Sequence, residues 1–216
     1  MKKCFIMSRV LGLDVSTKTI GIAIFEDTGE KGKLQLLTHI TPKIKPKPND
    51  NIELLIKKVQ VFETEVLEKY SDIDISRVFI EEPLLRSNNV NTVATLLRFN
   101  GMICRSVYEV LNIVPEFISS YDARKFAFPD LMAIRMLKKS GERYSDKEIS
   151  KKNPVLFGGL PYDIDKKAVV HQKVCELEPQ VVWIYDKYQK LKKENFDMTD
   201  AYACVVGGMR KCGNWV

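Results

Sequence analysis

Short apolar runs that stop on carboxylates organise this chain. Val10, Leu11 and Leu13 form a run too short for a helix, and it ends on Asp14. Ser16, Thr17, Lys18 and Thr19 predict a tight turn, and Ile20 to Phe25 a second strand. The result is a β-hairpin whose first strand is buried. Lys33 to Thr41 predicts a third strand, and the Pro- and Lys-rich stretch PKIKPKPND a solvated loop. Ile52, Leu55, Ile56, Val59, Phe62, Val66 and Leu67 then fall on one helical stripe reaching about Tyr70, with Asp50 or Asn51 as its cap. Arg77 to Ile80 predicts a fourth strand, which runs into Glu81 and Glu82 and is stopped by Pro83.

Beyond the polar RSNN, a helix is predicted from Val90 to Leu111. It is apolar around much of its circumference and contains Gly101, so it should pack on more than one side. Pro115 to Tyr121 reads as a fifth strand, and Tyr121 to Phe128 as a helical turn carrying Arg124 and Lys125. From Asp130 to about Asn153 the pattern predicts a short helix followed by a mobile basic excursion, closed by Gly158, Gly159 and Pro161. Asp165 to Leu177 and Pro179 to Lys193 read as helices. Phe196 to Met209 is the last one. On it Asp197 and Asp200 lie three apart and share a face. The small residues behind them, Ala201, Ala203, Cys204 and Gly207, call for close burial against a sheet.

Composition narrows the chemistry. The 216 residues fit one α/β domain with a sizeable core, and 45% hydrophobic with 29% charged residues is ordinary for a globular protein. No apolar run is long enough to span a bilayer, and the N-terminus lacks a signal-peptide core, so a cytoplasmic location is expected, without membrane contact. Five scattered cysteines without a CxxC pair suggest neither a disulfide framework nor a zinc site. Two histidines, His39 and His171, disfavour His-based metal chemistry and a serine-protease triad. A net charge of +6 permits a polyanionic partner.

The carboxylates then carry the argument. An acid in a buried strand costs several kcal/mol unless it is compensated. Asp14 alone could simply cap its turn, Glu81 and Glu82 could mark a solvated strand end, and Asp197 and Asp200 could favour a helix N-terminus. Brought together on adjacent strands, they would repel unless a cation sat between them. Only one of Glu81 and Glu82 can face such a site, because side chains alternate along a strand.

Taken in order, these motifs resemble those of the RuvC-type Holliday junction resolvases of the RNase H-like superfamily. LGLDVSTKTIG is similar to the family's first motif, VFIEE to the motif whose glutamate falls on Glu81, and SYDAR to a strand-to-helix junction. DKKAVVHQKV resembles a segment whose functional lysine falls on Lys167, and DMTDA the closing aspartate pair. Departures occur as well. Val15–Ser16 stands where many relatives have Pro–Gly, and Leu84 stands at a position that can carry an aromatic wedge. Ala127 stands at the spacing of a second lysine, for which Lys125 is the substitute. The Asp130–Asn153 region and the helix around Trp183 look longer than in compact members.

The resemblance implies a single RNase H-like domain over residues 1–216, with a central five-stranded mixed sheet flanked by helices and a basic elaboration at about 130–160. It implies a nuclease of DNA recombination and repair that resolves four-way junctions by symmetric, metal-dependent phosphodiester hydrolysis. Asp14, Glu81, Asp197 and Asp200 would hold two Mg²⁺ ions per site, with Mn²⁺ as substitute and Asp14 as bridge. Hard cations prefer such oxygen ligands. Lys167 would act on the scissile phosphate, with His171 as a further candidate. Arg86, Arg124, Lys125, Lys151, Lys152, Lys166, Lys167 and Leu84 would contact DNA. A homodimer is implied, with the Val90–Leu111 helix as candidate interface. The alternatives are a broader branched-DNA or RNA–DNA nuclease of the same fold, or a non-catalytic junction-binding protein. An actin-like sugar kinase or ATPase shares the acidic opening hairpin, but it needs a second half and a glycine-rich nucleotide loop not found here.

Overall fold

The computed structural model describes residues 8–83, 89–134, 140–142, 145, 155–157 and 165–216. Three strands open the chain: β1 (Arg9–Val15), β2 (Ile20–Asp27) and β3 (Gly32–Ile40). Helix α1 (Asn51–Phe62) starts at Asp50, whose carboxylate accepts the Ile52 and Glu53 amides, and it continues as a π-helical stretch, Glu63–Glu68. Then come β4 (Ile75–Glu81), α2 (Val90–Leu111), β5 (Glu116–Ile118) and α3 (Ser120–Ala127). A 3-10 turn, Pro129–Leu131, leads into β6 (Met132–Ile134), which pairs antiparallel with β7 (Val155–Phe157). Helices α4 (Lys166–Leu177) and α5 (Glu194–Lys211) complete the described chain.

Five strands form one mixed sheet, as the resemblance implies, and their order is β3-β2-β1-β4-β5. The first three pair antiparallel, and β4 and β5 join parallel to β1. Alternation along each strand sends side chains to two separate cores. Leu11, Leu13, Ile22, Ile24, Val78 and Ile80 meet Leu55, Val59, Phe62, Phe99 and Ile103 of α1 and α2. Val10, Ala23, Phe25 and Phe79 instead meet α5. Every residue of α5 from Met198 to Met209 is buried, which makes it the central helix rather than a surface one.

The structure corrects two predicted elements. Pro179–Lys193 is not a helix. Its β-branched and aromatic run, Val181 to Tyr185, favours extended backbone, and an isolated bridge, Tyr185 to Leu191, closes it around a turn at Asp186. Where the short helix expected after Asp130 would begin, the chain forms the 3-10 turn and β6, whose backbone pairs with β7, and the rest of that expectation lies outside the described residues. Much of the basic excursion lies outside the described residues. The fifth strand is shorter than predicted, because Ser119 caps α3 and ends it.

Candidate metal centre

Strand register brings the first two acids together. Leu13 on β1 is paired with Ile80 on β4, so Asp14 and Glu81 follow one step beyond on parallel neighbours. Both lie on the α5 side, in phase with Gly12 and with Phe79. A side chain at Gly12 would overlap the Ala201 carbonyl, and one at Gly21, the partner of Asp14 on β2, would overlap the Asp197 carbonyl. Bare backbone at these two points lets α5 rest directly on the sheet. Asp200 is thereby carried to Asp14. Ligand oxygens of Asp14, Glu81 and Asp200 lie within 4.8 Å of one another.

The turn below Asp14 is tied on both sides. The Ser16 hydroxyl accepts from the Thr19 amide (3.0 Å) and donates to the Thr19 carbonyl (2.8 Å), and Lys58 of α1 donates to the Thr17 carbonyl. Ser16 thus closes the turn by hydrogen bonding.

Crowding leaves the acids short of positive charge. Burial, then Glu81, Asp200 and Asp197, hold the Asp14 carboxyl well above the usual range. Burial, then Asp200, push Glu81 up to about 7, against the pull of Arg124 and Lys167. Burial raises Asp197 to about 6, with Lys167 opposing and Asp200 and Glu194 adding to the rise. Two cations answer. Arg124 Nη2 donates to Asp200 Oδ1 at 2.8 Å, and Lys167 Nζ lies 3.1 Å from Asp200 Oδ2. Burial works against both cations, but Asp200 outweighs it and raises them. Among the described residues the buried Arg124 Nε has no hydrogen-bond partner.

When ionised, four carboxylates against two cations leave two negative charges uncompensated. An all-oxygen donor set with that deficit fits a hard divalent cation.

Among the described residues this is the one group of three or more potential ligands found. Asp197, also expected as a ligand, stands outside that group, yet it is near enough to act electrostatically on Asp14. Glu82 is exposed, with its amide bonded to the Ile118 carbonyl, so Glu81 is the inward acid. His171 lies apart, packed edge-on against Trp183 (4.4 Å) and Phe196 (5.9 Å), and burial lowers its pKa.

Arg124 is drawn into the cluster rather than left at its rim, whereas Lys125 is exposed beside the Tyr121 and Phe126 rings. Lys166 and Lys167 open α4 beside the site. Leu84, Arg86, Lys151 and Lys152 lie outside the described residues. Sequence reasoning treated Arg124 only as a DNA contact and missed its bond to Asp200. The small residues Ala123 and Ala127 one step before and three steps after it, which mark the packed side of α3, were the available signal.

No protein-family model matches the sequence, and no curated protein matches it. Strand order and flanking helices match the RNase H-like α/β fold class. Within that class the likeness runs along the whole chain to Thermus thermophilus RuvC, at 13% identity over 95% of this chain and 97% of that one, with a TM-score of 0.53. Thermus thermophilus RuvC in complex with a Holliday junction substrate superposes with a TM-score of 0.54, at 10% identity over 96% of this chain and 97% of that chain. The yeast mitochondrial Holliday junction resolvase Ydc2 matches at 13% identity over 99% of this chain and 84% of its own, with a TM-score of 0.46. The chain has the fold of RuvC. Among the described residues no helix is long and apolar enough to cross a membrane.

Proposed function

We propose that this protein is a structure-selective DNA endonuclease that resolves four-way junctions by metal-dependent phosphodiester hydrolysis. The observation that carries the reading is the convergence of Asp14, Glu81 and Asp200 within 4.8 Å at the carboxyl ends of parallel strands. The RuvC-like course of the whole chain supports the substrate class.

Asp14, Glu81 and Asp200 would hold the first Mg²⁺ or Mn²⁺, and Asp197 would help to hold a second. Bound divalent ions would lower the pKa of water and neutralise charge developing on the phosphoryl and leaving oxygens. The protein's own groups supply the rest. Lys167 lies on the open side of the cluster, where its ammonium, released from Asp200, can hold a non-bridging phosphate oxygen. Arg124 fixes the Asp200 carboxylate through one oxygen and balances charge beneath it. Lys125 and Lys166 at the rim would add phosphate contacts, which give affinity and salt dependence rather than sequence reading. Because a four-way junction is two-fold symmetric, matched cuts call for two copies of the chain. Helix α2, with Leu97 and Tyr108 exposed, is the surface assigned to their contact.

The test is incubation of a mobile four-way junction, a fork, a linear duplex and an RNA–DNA hybrid with wild type and Asp14→Asn in Mg²⁺. Paired symmetric nicks in the junction are expected, reduced about 10³-fold or more in the variant, since metal ligation is worth several kcal/mol in the transition state. Equal cutting of forks or hybrids would widen the substrate class. Tight junction binding by both proteins without cutting would overturn the reading.

A further inference from the structure

The segment between α4 and α5 belongs neither to the carboxylate cluster nor to the regular elements, yet it is firmly built. The fully buried Asn195 accepts from the Ile184 amide (2.9 Å) and donates to the Ile184 (2.7 Å) and Lys192 (3.0 Å) carbonyls. The backbone closes from Lys192 N to Ile184 O and from Asp186 N to Lys190 O. At the tip, the Asp186 carboxylate accepts the Tyr188 and Lys190 amides at 2.8 and 2.9 Å. Gln189 turns the chain at φ 61°. Beneath the turn, Trp183 packs on His171.

What this scaffold presents is hard to explain by folding alone. Tyr185 and Tyr188 are 50% and 69% exposed, and exposed aromatic area forgoes the gain of burial. Lys187, Lys190, Lys192 and Lys193 are exposed around them, and among the described residues none forms an ion pair. The one acid of the tip, Asp186, is committed to the turn. Lys187 Nζ lies 4.8 Å from the Tyr188 ring centroid, so a cation and an aromatic ring share the tip. A ligand that removes both costs must be polyanionic and must offer open π faces. Unpaired nucleotides meet both conditions, whereas the base faces of a closed duplex are covered.

The location is also suitable. Asn195, which anchors the hairpin, precedes Asp197 by two residues, and Lys192 lies within electrostatic reach of His39 near the end of β3. His39 is paired with Gly21, which in turn pairs with Asp14.

We propose that Tyr185 and Tyr188, together with Lys187, Lys190, Lys192 and Lys193, form a stacking platform that takes unpaired nucleotides of the DNA strand beside the carboxylate cluster. This rests on the nuclease reading above and narrows its substrate class to DNA whose bases are exposed at a branch.

The test uses the full chain in EDTA, so that binding is read without cleavage. Anisotropy is measured on a fluorescein-labelled thymidine 20-mer and on a blunt duplex of equal length. Tyr185→Ala/Tyr188→Ala is expected to weaken single-strand binding about 10- to 100-fold while leaving duplex binding within about two-fold. Tyr188→Phe, which keeps the ring, is expected to bind as wild type does. Lys187→Gln/Lys190→Gln should lower the slope of log K against log salt by about one. Single-strand affinity unchanged in the double alanine variant, with its thermal unfolding also unchanged, would overturn the platform. Junction cleavage separates the two claims. Platform-dependent binding without any cutting by wild type would sustain the platform and remove the nuclease reading. Normal cutting with alanine-insensitive binding would do the reverse.

Discussion

On one face of the sheet, Leu55, Val59 and Phe62 of α1 and Phe99, Ile103 and Val107 of α2 fill the space with large side chains. On the other, Gly12 and Gly21 meet Ala201, Val205 and the Asp197 backbone, with almost nothing between helix and strand. Both faces bury apolar volume, but at Gly12 and Gly21 the second brings backbone to backbone, which is what sets a carboxylate on α5 beside one on β1. Bulk secures the fold here, and the absence of bulk secures the geometry of the site.

Four variants test this division. On the bulky face, Phe99→Ala is expected to cost about 3–5 kcal/mol of stability, read by urea unfolding. Mn²⁺ affinity should stay within two-fold of wild type. A large loss of metal binding there would show that the faces are not independent.

The second variant concerns charge on the other face. Raised carboxyl pKa values mean that the folded, metal-free protein holds protons more tightly than the unfolded chain does. That contribution is intact below the ordinary glutamate value of 4.5 and is lost as pH rises through about 7 at Glu81. Glu81→Gln is therefore expected to stabilise the protein in EDTA at pH 8 by roughly 2–3 kcal/mol and to flatten its melting temperature against pH. An unaltered profile would mean that the cluster is not strained by its charges. Saturating Mg²⁺ should raise the wild-type melting temperature more than that of the variant.

Gly21→Ala is the third, at about 1–3 kcal/mol in stability, because the added methyl meets the Asp197 carbonyl and α5 must shift. Its diagnostic readout is Mn²⁺ affinity, which should fall although no ligand has been changed. The smallest stability effect is expected for Leu97→Glu, at an exposed position of α2, within about 0.5 kcal/mol. Light scattering should nonetheless report monomers, and an unchanged dimer would remove α2 as the interface.

The same contrast explains what could be read from the sequence. Large aliphatic side chains at helical spacing announce α1, and apolar runs stopped by acids announce β1 and β4. Glu81 could be separated from Glu82 only through resemblance, until the phase of Phe79 settled which one faces α5. Arg124 was not legible as an Asp200 partner, because the orientation of an eight-residue helix depends on packing against α5 rather than on its own pattern. Pro179–Lys193 was misread as helical for a related reason. Its turn is held by Asn195, an anchor from outside the segment, and local pattern gives no sign of that.

The enclosure of α5 from Met198 to Met209 carries a further consequence, for how this protein fails. A helix covered on all sides exposes its amides only when the whole domain opens, so those amides belong to the last unit to exchange with solvent. Asp200 sits inside that unit. Partial fraying at the edges therefore leaves Asp200 in place, and its displacement on heating follows global unfolding instead of preceding it.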